Sequence, residues 1–169
     1  ESLKTIPAKI ELGMSRYADD LKVLIRLSQD KEILEMASNE EYIRVLWETS
    51  QIPDFRNISE GEHSRIISSI FKELCINKKL SDKWLNSQVK TYDKYYGDIN
   101  SLLMRLSGIR TWTYVSQKEK WIENPIIWQK KTREIENKLS DSLHNSLTER
   151  FVEKKSSKLR IKYKDKKDI

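Results

Sequence analysis

Apolar side chains recur at helical spacing through most of the chain, and the longest such pattern lies towards its C-terminal end. Asn124 followed by Pro125 is a typical helix start, because proline suits the first helical position. The apolar face that follows is formed by Trp128, Ile135, Leu139, Leu143, Leu147 and Phe151. This pattern predicts a helix to about residue 152, roughly 40 Å long, which requires other helices along its apolar face.

A second apolar stripe precedes that helix. Asp98 is a suitable N-cap, and the stripe consists of Ile99, Leu102, Leu103, Leu106 and Ile109. Gly108 lies inside it, where glycine costs about 1 kcal/mol relative to alanine. We therefore expect a close backbone approach or a kink at Gly108.

The end of this second segment, IRTWTYV, interleaves cations and aromatic rings. Arg110, Trp112, Tyr114 and Lys118 follow one another here, and such a pattern can stack on bases. The alternative is that Trp112 and Tyr114 belong to the core and Arg110 is a solvated rim, because tryptophan at helical spacing usually packs. Both interpretations fit the residues.

Capping residues mark the earlier helices. Asp30 can start a short helix. Asn39 can start a second helix, with Ile43, Leu46 and Trp47 on one face. A capping box at residues 59–62 can start a third helix, which runs to about residue 77. A first helix is expected at 16–27, and another from Ser81 to Gly97. The predicted fold is all-α, a single array of about six or seven helices with one long C-terminal helix. We divide the chain into an irregular lead-in (1–15), a helical domain (16–152) and a basic tail (153–169).

The basic tail carries the excess charge of the chain. Residues 154–169 hold eight Lys/Arg and two acids, so they account for the whole net charge of +6. A basic segment favours a polyanion partner, although it can equally be a solvated end. Leu159, Ile161 and Tyr163 alternate with cations at strand spacing. The tail is therefore expected to be either strand-forming or disordered.

Candidate catalytic groups are sparse. Cys75 is the single cysteine and is expected to be a small buried hydrophobe, while His63 is expected near the surface or at a helix cap, and His144 is similarly isolated. No nucleotide-binding, zinc-protease or nucleophile-elbow motif is present, so we expect no catalysis by this chain alone. Because the sequence starts with Glu1 and shows no signal peptide, we expect it to be cut from a longer protein.

Several strings in the sequence together resemble one family. In chain order they are Trp47, QIPDF at 51–55, GDI at 97–99, IRTWTY at 109–114, a segment with Trp121, Pro125, Trp128 and Gln129, and LSDSLHNSLTERFV at 139–152. This order is similar to the region behind the motor core of bacterial DEAD/DEAH-box helicases of the mitochondrial degradosome RNA-helicase type. The resemblance covers most of residues 40–160.

The resemblance implies a non-catalytic C-terminal accessory domain that helps form the RNA channel behind two RecA-like domains. ATP and Mg²⁺ would bind to the parent hydrolase and not to this chain, and the location would be the bacterial cytoplasm. Expected partners are single-stranded RNA and the RecA-like domains of the same parent, with no membrane. The alternative is a helical module that docks a nuclease or another protein. Candidate RNA-binding residues are Arg105, Arg110, Trp112, Tyr114, Lys118, Lys120, Lys154, Lys155, Lys158, Arg160 and Lys162.

Overall fold

Helices account for most of the chain in the computed structural model, which describes residues 19–56 and 60–165, with side chains for 19–56 and 61–156. The α-helices are α1 (Asp19–Leu27), α2 (Lys31–Met36), α3 (Glu40–Ser50), α4 (Glu60–Asn77), α5 (Asp82–Val89), α6 (Ile99–Ser116) and α7 (Pro125–Asp165). Two short 3-10 turns lie at Lys90–Tyr92 and Glu119–Trp121. The predicted all-α fold is confirmed for the described residues, whereas the lead-in at 1–15 lies outside them.

Four of the predicted helix starts are fixed by the expected side-chain caps. Asp30 accepts a hydrogen bond from the backbone N–H of Glu32 at 3.0 Å, and Asn39 accepts one from Tyr42 at 2.9 Å. Ser81 and Asp98 cap α5 and α6 in the same way. Each cap satisfies a backbone donor that the first turn of a helix leaves free. The predicted capping residue Ser59 lies outside the described residues.

The predicted end of α5 at Gly97 is wrong, because the helix ends at Val89 and is followed by a 3-10 turn and an irregular segment. Arg105 of α6 explains this path. Its Nη1 donates hydrogen bonds to the carbonyl oxygens of Lys94, at 2.8 Å, and Tyr96, at 2.6 Å. Gly97 then adopts a φ of 129°, which glycine tolerates, directly before the cap of α6.

Two groups of helices share the core. Helices α1, α2 and α3 pack on α4, and α6 lies along the first half of α7. The two long helices run antiparallel, since Ser116 lies beside Gln129 while Arg110 lies beside Glu136. The largest fully buried side chains include Ile67, Ile70, Phe71, Leu102, Ile109 and Leu139. Burial of such side chains is the main stabilising contribution to this fold.

Gly108 is a point of close approach, where the side chain of Tyr92 lies against the backbone of α6. A Cβ atom added to Gly108 would lie 2.1 Å from Cε1 of Tyr92. The Tyr92 ring therefore occupies the space of a side chain on α6. Any larger residue at 108 must displace this ring.

Some predicted apolar faces are only partly buried. Trp128, Ile135, Leu139 and Leu143 of α7 are buried as expected, whereas Leu147 and Phe151 are exposed. On α3, Leu46 is buried, whereas Ile43 and Trp47 on the same face are exposed. A helical apolar pattern identifies a face, but only a neighbouring element buries it.

The predicted strand in the basic tail is wrong for residues 153–165, which continue α7 as far as Asp165. Helix propagation explains this result, because each added residue gains a backbone hydrogen bond and no Gly or Pro interrupts the segment. A strand at residues 159–163 would have no partner strand among the described residues. The helix also crosses the proposed boundary between domain and tail at residue 152.

Candidate nucleic-acid interface

The candidate RNA-binding residues fall into groups at opposite ends of the α6–α7 pair. Tyr114 lies in the last turn of α6, and Lys118 and Lys120 follow directly. Lys154 and Lys155 lie on α7. Asn100, at the start of α6, lines a shallow groove together with Ser146 of α7, and the two lysines follow Ser146 along that helix. The remaining candidates of the tail, Lys158, Arg160 and Lys162, belong to α7 by their backbone, and their side chains lie outside the described part.

Lys118 folds back over the end of α6. Its backbone N–H donates to the Val115 carbonyl at 3.0 Å, so the chain turns tightly after Ser116. Lys118 Nζ consequently lies 5.4 Å from the ring centroid of Tyr114 and 5.8 Å from that of Trp121. Contacts of this kind stabilise by about 0.5–1 kcal/mol at exposed sites and hold the ammonium group beside the ring.

Phe55 joins this cluster, although it was not among the predicted site residues. Its ring centroid lies 6.5 Å from that of Tyr114, with the rings tilted by 56°, and its side chain is 39% exposed. The only signal for it in the sequence is the string QIPDF. Its role depends on a loop and a helix that are distant in sequence, which local patterns do not report.

The loop that carries Phe55 is held in place by His63 of α4. His63 Nε2 lies 3.0 Å from the carbonyl oxygen of Ile52, and Ile52 is itself buried. Asp54 accepts a hydrogen bond from the backbone N–H of Arg56 at 3.1 Å. His63 lies in the first turn of α4, the cap region that was predicted for it, but its side chain is buried and does not lie at the surface.

Arg110 lies one helical turn before Tyr114 on the same side of α6. Its Nε is 3.2 Å from a carboxylate oxygen of Glu136 on α7, and its side chain is about half exposed. An ion pair at this exposure contributes at most about 1 kcal/mol. Arg110 therefore borders the cluster as a partly neutralised cation.

Trp112 is not available to stack on a base, since only 3% of its surface is exposed. Its ring packs edge-on against Trp84, with the centroids 5.8 Å apart and the planes at 72°. The alternative that Trp112 is core is therefore right. Its indole nitrogen has no hydrogen-bond partner among the described residues, a burial that costs about 1–3 kcal/mol.

Arg105 does not lie with Arg110. Five residues separate the two on α6, which places them about 140° apart around the helix axis. The guanidinium of Arg105 is used to hold the carbonyl groups of Lys94 and Tyr96. Its position indicates a role in shaping the loop before α6.

Lys154 and Lys155, the tail cations whose side chains the structure describes, lie on an exposed stretch of α7. Every residue from 147 to 156 is exposed, including Lys154 and Lys155. Lys155 Nζ lies 5.0 Å from the ring centroid of Phe151, on a stretch where Leu147, Phe151 and Val152 present apolar side chains to solvent. This part of α7 combines apolar and cationic groups, and no other described element packs on it.

We name Phe55, Arg110, Tyr114 and Lys118 the aromatic–cationic surface. Its chemistry suits a single strand, because ring faces accept stacked bases and cations attract the phosphates beside them. Lys120 is exposed within two residues of Lys118. The structure thus brings four of the helical-body candidates (Arg110, Tyr114, Lys118 and Lys120) to one end of α6 and adds Phe55.

Among the residues that the structure describes, no group of three His, Cys, Asp or Glu is arranged to hold a metal ion. No helix in this part of the chain is both long and apolar enough to cross a membrane. Cys75 is half-buried beside the core, and burial raises the pKa of its thiol. His144 is exposed.

No family model matches the chain, and neither a curated protein nor a solved structure is significantly similar to it.

Proposed function

We propose that this chain is a non-catalytic accessory domain that binds single-stranded RNA next to the ATP-dependent motor of an RNA helicase. The observation that carries the proposal is the pairing of the Phe55 and Tyr114 rings, with the ammonium group of Lys118 over the ring of Tyr114. Phe55 belongs to QIPDF and Tyr114 to IRTWTY, two of the strings in which the sequence resembles the helicase family. Strings distant in sequence thus meet in one surface that suits a single strand.

The surface supports binding that tolerates many sequences. Aromatic rings stack on any base, and Lys118 and Lys120 contribute charge without reading base edges. The RNA would follow the end of α6 and pass between this domain and the RecA-like domains of the parent. ATP and Mg²⁺ would bind to those domains, and this chain would contribute RNA contacts but no catalytic group.

Fluorescence anisotropy with a single-stranded oligouridine tests the proposal. Phe55→Ala removes an exposed ring at the edge of the core, and we expect RNA affinity to fall about 5- to 150-fold, the equivalent of one lost stacking contact of about 1–3 kcal/mol. Lys118→Gln should weaken binding and reduce the slope of log K against log salt by about 0.7. Lys83→Gln, at an exposed lysine of α5, serves as the matched control and should leave the affinity unchanged.

Equal affinities for the wild type, Phe55→Ala and Lys118→Gln would contradict the proposal, as would an equal loss in the Lys83→Gln control. Thermal melts of each variant exclude unfolding as the cause. Because Phe55 and Lys118 are partly exposed, we expect their melting temperatures to stay close to that of the wild type.

A second candidate function is a helical protein-interaction module, and the exposed side chains of Leu147, Phe151 and Val152 favour it. Exposed apolar groups on one helix segment are typical of docking surfaces. The expected partner is the RecA-like part of the parent. Calorimetry with that part should show a loss of affinity for the double variant Leu147→Ser, Phe151→Ser and no change in RNA binding. Unchanged affinity for the RecA-like part would exclude this function for α7.

A further inference from the structure

His63 is a titratable side chain that is buried next to the aromatic–cationic surface. The residue is only 5% exposed, and both nitrogens of its ring approach oxygen atoms of the loop that carries Phe55. Nε2 lies 3.0 Å from the Ile52 carbonyl oxygen, and Nδ1 lies 3.9 Å from Oδ1 of Asp54. Because histidine is the side chain that ordinarily changes charge between about pH 5 and 8, this pair of contacts can respond to pH.

The contact with Ile52 determines which ring nitrogen carries the proton when His63 is neutral. A carbonyl oxygen only accepts hydrogen bonds, so Nε2 must be the donor. Nδ1 of the neutral ring then has a lone pair and no proton, and it lies beside a carboxylate oxygen that also only accepts. The neutral ring therefore binds Ile52 but forms no hydrogen bond with Asp54.

A second proton, on Nδ1, turns the contact with Asp54 into an ion pair. Charge-assisted N–H···O bonds are about 2.7–2.9 Å long, so the two atoms need to approach by about 1 Å. The Asp54 side chain is 25% exposed, which leaves it room for this movement. Burial disfavours a charged ring and the carboxylate favours it, so uptake of the second proton is coupled to closure of this contact.

Asp54 connects the ring of His63 to the position of Phe55. Its Oδ1 accepts a hydrogen bond from the backbone N–H of Arg56, and the N–H of Phe55 donates to the Pro53 carbonyl at 3.1 Å. Phe55 thus lies inside a short turn that Asp54 closes. A firmer hold on the Asp54 carboxylate fixes this turn, and with it the ring that pairs with Tyr114.

The other charged groups around this part of α4 lie away from the ring. Arg26 of α1 lies against Gly61, which is about 200° from His63 around the helix axis. Glu62 is exposed. The polar side chains buried at the end of α3, those of Thr49 and Ser50, are neutral and donate to the Leu46 carbonyl. Asp54 is therefore the carboxylate within ion-pair distance of the ring among the residues that the structure describes.

We propose that His63 is a proton-dependent positioning residue for Phe55. The imidazolium form binds both Ile52 and Asp54 and holds the Phe55 ring beside Tyr114, whereas the neutral form binds Ile52 alone. The consequence for RNA rests on the proposed function: single-stranded RNA should bind more tightly as the pH falls from about 7.5 to about 5.5. The contact itself does not depend on that function and can be measured without RNA.

Nuclear magnetic resonance of the labelled chain without RNA tests the contact. We expect the backbone amides of Asp54, Phe55 and Arg56 to shift with the same midpoint as the ring of His63. Two variants should abolish these shifts. His63→Gln keeps an N–H donor for Ile52 but does not titrate, and Asp54→Asn keeps an oxygen that accepts from Arg56 but has no charge. Thermal melts show that both variants fold.

His144→Gln is the matched control, because His144 is exposed on α7 and is the only other histidine of the chain. This variant should keep the pH-dependent shifts of the loop amides. If these amides do not follow the titration of His63, or if they still shift in His63→Gln, the proposal is overturned.

Fluorescence anisotropy with oligouridine, which has no group that titrates in this pH range, measures the consequence for RNA. Affinity of the wild type and of His144→Gln should rise about threefold towards the lower pH, because apparent affinity follows the fraction of molecules in the binding-competent conformation. It should stay constant in His63→Gln and Asp54→Asn. A rise that persists in His63→Gln contradicts the positioning role. Loop amides that follow His63, together with RNA affinity that Phe55→Ala does not change, support the contact and refute the proposed function alone.

Discussion

The two halves of α7 carry the same apolar pattern in opposite environments. Leu139 and Leu143 are 0% and 8% exposed, whereas Leu147, one turn later on the same face, is 47% exposed. The difference lies in the neighbours, since α6 packs on the first half and α7 continues past the start of α6. Amphipathic spacing therefore predicts which side of a helix is apolar, and the available partner decides how much of it is buried.

Polar contacts reinforce the same contrast. In the first half, Trp128 Nε1 donates to Asp82 at 2.7 Å, and Asn124 donates to the other oxygen of the same carboxylate. Thr132 lies 3.3 Å from the hydroxyl of Ser116 on α6. In the second half the exposed residues include Lys154 and Lys155, whose charges face solvent. The first half is thus packed into the fold, and the second half is exposed with respect to the described residues.

The largest expected effect is that of Leu143→Ala, at the end of the packed half. Removing this buried side chain leaves a cavity, so the free energy of unfolding should fall by roughly 2–5 kcal/mol. Urea denaturation followed by circular dichroism measures it. A loss below about 0.5 kcal/mol would show that Leu143 does not contribute to the core.

Gly108→Ala tests the α6 side of the packed half. The added methyl group meets the Tyr92 ring, and overpacking of this kind costs about 1–3 kcal/mol even though alanine is the better helix former. The same urea titration measures the change. An increase in stability would mean that Tyr92 moves aside freely, and the close approach would have no energetic importance.

The smallest expected effect is that of Leu147→Ala, the matched control for Leu143→Ala. Both variants remove the same atoms from the same face of one helix, but Leu147 is exposed. The free energy of unfolding should change by less than about 0.5 kcal/mol. A loss comparable to that of Leu143→Ala would show that the second half of α7 is packed in solution, against a partner such as a second copy.

Local features of the fold were predictable from the sequence, because short-range chemistry determines them. The caps at Asp30, Asn39, Ser81 and Asp98 were expected from single residues, and a close contact was expected at Gly108, although its partner, the Tyr92 ring, was not. The early end of α5 was not predictable, since it depends on Arg105 binding carbonyl groups about ten residues away. The helical tail was also missed. Three alternating apolar residues favour a strand only weakly, whereas each residue added to an existing helix gains a backbone hydrogen bond.

The candidate site was predictable only in part. The interleaved string identified Arg110, Tyr114 and Lys118, and the structure places them at one end of α6. Periodicity could not distinguish the buried Trp112 from the half-exposed Tyr114, since both lie on the same helix. The position of Phe55 depends on contacts between elements distant in sequence, and a single sequence carries no record of such contacts.

The most direct test of the account is RNA binding by the chain shortened to residues 1–153, compared with the full chain at several salt concentrations. Because residues 147–156 are exposed, the truncation should leave the core intact. We predict that the shortened chain still binds single-stranded RNA, with a reduced but clear salt dependence and the same sensitivity to Phe55→Ala. Loss of all binding with the tail would contradict the account and assign the polyanion contact to the end of α7.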